Sequence, residues 1–285
     1  MRPSSSTSSL LVLAVLGGCA GDPSGTAATA SGVARGSAEP VIVTVGGFNS
    51  CYRTAAGPTP TGSDRWAKSA RLTQRFTHGD PQWVRGCFDG GGRLYWVSSA
   101  APTVVRSTSI DALVPFVLAV AERAGGGRRP VYLHGHSYGG WVATQTAAAL
   151  PSSVDLRMLV TVDPISPAHC AVASYLRAVA SPAAAPWVLA GCQRAPADVS
   201  ADMRRWVLDR LPDGAWRHYY QRNFLPLRSS AFDGAPPPHR SYDVSAFLTH
   251  NGGAHPSWNA HSGIDELSVV WYTLEASIER DLAGD

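Results

Sequence analysis

The residues with the clearest chemical potential are Gly135-His136-Ser137-Tyr138-Gly139, a Gly-x-Ser-x-Gly pattern. The apolar run Val131-Tyr132-Leu133 leads into it. Trp141 to Leu150, alanine-rich and free of glycine and proline, follows it and reads as a helix. Strand, tight turn and helix together form a nucleophile elbow, which lifts a serine hydroxyl clear of a sheet. Glycines on both sides let strand and helix approach without Cβ clashes. The turn also puts the backbone N–H of Tyr138 at a helix N-terminus, where it can bind a developing oxyanion.

A serine nucleophile needs a base to take its proton and an acid to orient the base. Leu156 to Val162 is an apolar run that reads as the strand beside the elbow strand, and Asp163-Pro164 ends it. Catalytic groups in such sheets gather at the carboxyl ends of strands, which makes Asp163 the candidate acid. Asp213, Asp233 and Asp243 are the alternatives. Three histidines, His250, His255 and His261, follow the last expected strand. His261 is the candidate base, because a loop just before the final helix lets an imidazole reach the serine. His134 and His136 form a His-x-His pair around Gly135. No third ligand is placed with them, so a metal is not expected; His134 is expected to pack the strand and His136 to fill the turn.

The elements that must carry these residues alternate. Val41 to Val45 is β-branched and apolar, a buried strand, and runs into Gly46-Gly47-Phe48. Ser63 to Thr77 and Ser109 to Ala124 read as helices, the second with a stripe of Ile110, Leu113, Phe116, Val117 and Val120. Leu94 to Val97, Ala215 to Tyr220 and Tyr242 to Leu248 read as further strands. Ser262 and Asp265 resemble a helix cap, and Ile264, Leu267, Val270, Trp271, Leu274 and Ile278 give the final helix its apolar stripe. Strands alternating with helices imply a mostly parallel sheet with helices on both faces. Residues 166–211 exceed what a crossover needs. They form a candidate helical cap over the site, with helices expected over Ala168 to Ala180 and Asp198 to Leu211.

The N-terminal segment has a different character. Leu10 to Leu16 is an apolar run of signal-peptide length, too short to span a membrane. It ends in Leu16-Gly17-Gly18-Cys19, which resembles a bacterial lipobox: residues 1–18 would be removed and Cys19 lipidated. Residues 19–39 are rich in Ser, Thr, Ala and Gly and read as a tether, leaving 40–285 as the folded domain. The net charge of +3 is modest and no basic cluster stands out, so nucleic acid is not an expected partner. With Cys19 set aside, four of the five cysteines remain: Cys51, Cys87, Cys170 and Cys192. An even number in an exported chain points to two disulfides. Of three pairings, Cys51–Cys87 and Cys170–Cys192 would each close a loop-rich segment flanking the site.

From about Pro40 onward the chain resembles the α/β-hydrolase fold of the serine esterase and lipase superfamily. The resemblance rests on Gly135 to Gly139, supported by Gly46-Gly47-Phe48, Asp163 and His261. It implies that the loop after the first strand supplies a second oxyanion donor, the N–H of Phe48 or, failing that, of Gly47. It also implies the chain order serine, acid, histidine. An acid directly after the strand that follows the elbow strand is similar to the arrangement in pancreatic-type lipases. Ala20 after the candidate lipidated cysteine resembles the outer-membrane sorting pattern of Gram-negative lipoproteins. The expected activity is ester hydrolysis without a cofactor, on a small-molecule or lipid substrate near a membrane surface. A peptidase or thioesterase using the same three residues, and a surface-anchored binding protein on the same scaffold, are the alternatives.

Overall fold

The computed structural model describes residues 40–47, 50–54, 57–60, 82–88, 94–99, 105–107, 113–122, 129–165, 201–223, 239–250, 253–254 and 258–283. The N-terminal segment with Cys19, Phe48, the helix expected at Ser63 to Thr77, residues 166–200 with Cys170 and Cys192, Asp233 and His255 lie outside these residues.

Eight strands form one sheet. In chain order they are β1 (Val41–Val45), β4 (Gln82–Phe88), β5 (Leu94–Ser98), β6 (Val105–Ser107), β7 (Val131–His136), β8 (Leu156–Val162), β9 (Trp216–Tyr220) and β10 (Arg240–Asp243). The intervening β2 (Cys51–Thr54) and β3 (Gly57–Pro60) pair only with each other. The sheet order is β10-β9-β8-β7-β1-β4-β5-β6. From β10 to β4 every pairing is parallel, and β5 and β6 add an antiparallel edge. Parallel strands are covered on both faces, so β1 and β7 are buried along their whole length.

Helices cover both faces. On one face α1 (Leu113–Ala121), α2 (Tyr138–Ala149) and α3 (Ala201–Arg210) pack against Val41, Val43, Leu133, Leu159 and Trp216. The other face carries Ile42, Tyr132, Val160 and Tyr219. These meet the C-terminal segment, made of α4 (Trp258–Gly263), a 3₁₀ turn (Ile264–Glu266) and α5 (Ser268–Ala283). The alternation of apolar side chains along each strand therefore builds two cores, one per face. With the elbow strand flanked by β1 and β8, this is the α/β-hydrolase fold.

Helix α3 is bolted to α2. The Arg210 guanidinium donates to the carbonyls of Ala147 (2.8 Å), Leu150 (2.6 Å) and Pro151 (2.9 Å) at and just beyond the end of α2. The final stretch of the expected cap thus covers the sheet as part of the crossover from β8 to β9.

Two expectations are corrected, and one strand had gone unread. Strand β4 had no periodic signal, because Gly86 interrupts it and Arg85 alternates into it. The glycine is required there: a Cβ at Gly86 would run into the Trp96 ring on β5. The strand expected at Tyr242 to Leu248 occupies Arg240–Asp243 and then stops. Asp243 Oδ1 accepts from the Ser245 N–H (3.0 Å) and hydroxyl (2.6 Å), and this local bonding starts a 3₁₀ turn at Ser245–Phe247 in place of more strand. The last helix begins at Ser268, not at Ser262. Leu267 is extended, and Asp265, expected to cap, turns inward to His134.

Candidate active site

Three neighbouring strands end at one place. Ser137 is the first residue after β7, Asp163 the first after β8 and Gln221 the first after β9. The ladder continues through them, with Ser137 N–H on Val162 O (2.9 Å) and Asp163 N–H on Tyr219 O (2.7 Å). All three are buried, at 2%, 0% and 0% exposure.

Ser137 and Asp163 are the two non-glycine residues with positive φ among the described residues, at 57° and 40°. Such backbone costs on the order of 1–3 kcal/mol and persists where its surroundings enforce it. At Ser137 the surroundings are explicit. Its carbonyl accepts from the N–H groups of Gly140 (2.9 Å) and Ile165 (3.0 Å), which fix the turn from both sides. A Cβ at Gly135 would collide with the Gly139 carbonyl, and one at Gly139 with that of Val45. The two pattern glycines are therefore steric requirements of the turn. Tyr138 opens α2, which places its N–H at the helix N-terminus. Its side chain is buried edge-on against Phe88, with ring centroids 5.6 Å apart, and burial raises the phenol's pKa well above its ordinary value.

The structure brings His261 to Asp163. Its Nδ1–H donates to Asp163 Oδ2 at 2.7 Å, with both side chains almost fully buried. That bond fixes the tautomer and leaves Nε2 as the basic nitrogen. His261 lies inside α4 and not in a loop before the last helix. The His-x-His pair explains how α4 is held. His134 and His136 alternate with Gly135, so both rings face the C-terminal segment. His136 Nε2–H donates to the His261 carbonyl at 2.8 Å, and the two rings lie 4.9 Å apart. His134 Nε2 meets Asp265 Oδ1 at 3.2 Å, and its ring lies tilted against that of Trp271 with centroids 4.4 Å apart. The elbow strand thus grips the segment that carries the histidine. His136, expected to fill the turn, is a positioning residue, and His134 does more than pack its strand.

Gln221 escaped the sequence reading. Its Nε2 donates to Asp163 Oδ2 at 2.9 Å, the same oxygen that His261 uses. The strand-end rule that selects Asp163 would have found it if applied to β9. Beneath it, Trp216 Nε1 donates to Thr161 Oγ1 (3.2 Å), and Thr161 Oγ1 meets His218 Nδ1 (3.3 Å). Burial, helped by Arg204 and opposed by Asp163, lowers the His218 pKa from 6.5 to about 4, so this ring is neutral at neutral pH.

The loop after β1 touches the serine. A Cβ at Gly47 would stand 2.6 Å from Ser137 Cβ and 3.1 Å from Oγ, so only glycine brings this backbone so close. The loop is tied to β4 by Gly46 N–H on Gly86 O (2.9 Å), by Phe88 N–H on Ser50 Oγ (3.2 Å) and by the Cys51–Cys87 disulfide, whose Cα atoms lie 5.5 Å apart.

No family model matches this chain, and no curated protein matches it. Solved structures do. Alpha/beta hydrolase domain-containing protein 10 from mouse is 13% identical, with a TM-score of 0.39, over 86% of this chain and 90% of that one. The esterase domain of a Rhodothermus marinus protein is 14% identical, with a TM-score of 0.40, over 85% and 88%. Esterase B from Lactobacillus rhamnosis is 13% identical, with a TM-score of 0.39, over 88% and 82%.

Two of the competing acids stand elsewhere. Asp213 lies in the turn before β9, at the opposite end of the strands, and Asp243 pairs with Arg222 at 3.0 Å.

Proposed function

We propose that this chain is a serine hydrolase that cleaves carboxylic esters, with Ser137 as nucleophile, His261 as base and Asp163 as the residue that orients it. The observation that carries the reading is the pairing of a strained elbow serine with a buried His261–Asp163 hydrogen bond at the adjoining strand end. A binding protein on the same scaffold would have no need of serine, acid and histidine together.

In this mechanism His261 Nε2 takes the Ser137 proton as Oγ attacks the ester carbonyl. Asp163 stabilises the imidazolium, and the negative charge on the carbonyl oxygen falls on the Tyr138 N–H and an N–H of the Gly46 to Ser50 loop, with Phe48 as the proposed donor. The imidazolium then protonates the departing alkoxide. Water, deprotonated by the same histidine, releases the acid from the acyl-serine. By the same proposal Cys19 is lipidated and 19–39 tethers the domain to a membrane, where lipid esters are at hand.

A panel of p-nitrophenyl esters of increasing acyl length, run beside a thioester and a peptide amide, tests the bond. Ester turnover well above the other two is expected. Turnover confined to the thioester or the amide would replace the ester reading while keeping the triad.

A further inference from the structure

A cleft of about 240 Å³ lies at the other end of the sheet. It lies where β8, β9 and β10 begin, beside the last turns of α5. The catalytic residues follow the carboxyl ends of β7 to β9, roughly 20 Å away along seven-residue β8 at about 3.3 Å per residue.

Four arginines line it, Arg157, Arg217, Arg240 and Arg280, against the single carboxylate of Asp213. Arg157 has its own partner in Asp155, at 2.6 Å, just outside. Arg217 and Arg240 are register partners on adjacent parallel strands and so project from the same face of the sheet. Like charges placed side by side across strands are destabilising unless something of opposite sign joins them. Arg217 is held by a long bond from Nη1 to Thr273 O (3.4 Å), while its Nε is buried without a hydrogen-bond partner among the described residues. Arg240 is pre-positioned. Its guanidinium covers Gly214, whose φ is +75°, and a Cβ there would come within 3.0 Å of Nε. From α5, Arg280 Nη2 reaches Ser277 Oγ at 3.3 Å, which holds it at the cleft wall.

We infer that this cleft is a binding site for a phosphate-type oxyanion, carried free or on a small phosphomonoester or lipid headgroup. Planar guanidinium forks match tetrahedral oxyanions through paired N–H bonds, and several forks around one small volume favour a doubly charged anion over chloride. The volume suits a phosphomonoester and is too small for an acyl chain. The inference does not depend on what Ser137 does.

Isothermal titration of the full chain with inorganic phosphate, at ionic strength held constant with sodium chloride, tests it. Saturable binding of one phosphate per chain is expected. Arg240→Ser and Arg280→Ser, both at exposed side chains, should each weaken it tenfold or more while leaving the thermal midpoint and ester turnover unchanged. Co-sedimentation with phosphatidic acid vesicles and with phosphatidylcholine vesicles separates the sources. Loss of phosphatidic acid binding in the two arginine variants points to a lipid headgroup. Phosphate binding with vesicle behaviour unchanged by the variants points to a free phosphate. No saturable phosphate binding, or binding that both variants leave intact, overturns the inference.

Discussion

The two ends of the parallel strands treat polar groups in opposite ways. At the carboxyl ends of β7, β8 and β9, Ser137, Asp163, Gln221 and His261 are buried, and short bonds join Asp163 to both Gln221 and His261. At the amino ends of β8, β9 and β10, Arg157, Arg240 and Arg280 stand in solvent around an open cleft. Burial strengthens electrostatic interactions and makes geometry decisive, whereas exposed charges act through numbers and are screened. Substitutions at the first end should therefore be severe and specific. At the second they should be mild and visible only to an anion.

The sharpest break in that contrast is Asp163→Asn. It keeps the shape and removes the charge that holds His261, so kcat should fall on the order of 10³- to 10⁴-fold, as expected where an acid sets the tautomer. Steady-state ester kinetics measure this, with Arg280→Ser as the amino-end control that loses nothing. Equal, small losses in both variants would erase the distinction between the ends.

Next comes Cys51→Ser. The disulfide closes a loop with a sequence separation of 36 and ties the hairpin β2–β3 to β4. Its removal should cost roughly 2–4 kcal/mol of stability in denaturant unfolding. An unchanged midpoint would mean that the loop is held without it.

His218 gives the contrast a pH dependence. Its folded-state pKa, about 4, is below the 6.5 of the unfolded chain. The unfolded state thus binds the extra proton first as pH falls. The stability this ring contributes is complete above pH 6.5 and is lost between about 6.5 and 4, by on the order of 3 kcal/mol. Urea unfolding across this window should show the slope, and His218→Asn should flatten it. An identical slope in the variant would assign the acid sensitivity to other groups.

The smallest effect belongs to Gln221→Leu. It removes one donor to Asp163 Oδ2 and leaves the His261 bond in place, so about tenfold in kcat with KM little changed is expected. A change in KM alone would make Gln221 a substrate contact.

What could be read from the sequence was what is local. The elbow is set by glycines within two residues of Ser137, and Asp163 by the strand it ends. The Cys51–Cys87 pairing followed from an even cysteine count and the segment it closes. The grip of His134 and His136 on the C-terminal segment spans 125 residues between His136 and His261, and no periodicity encodes such a contact. Strand β4 was hidden because its glycine answers a tryptophan on the neighbouring strand. The start of α5 was misjudged because Ser262 and Asp265 have the residue types of a cap, while tertiary pairing with His134 takes Asp265 away from that use.

The central claim is that Ser137 is the nucleophile. Labelling the full chain with a fluorophosphonate and mapping the adduct by peptide mass spectrometry tests it most directly. The account predicts a single phosphonylated residue, Ser137, with ester turnover lost in step with labelling and no adduct on the Ser137→Ala protein, whose kcat should drop by about 10³-fold or more. An adduct on another serine, or full ester turnover by Ser137→Ala, would contradict it.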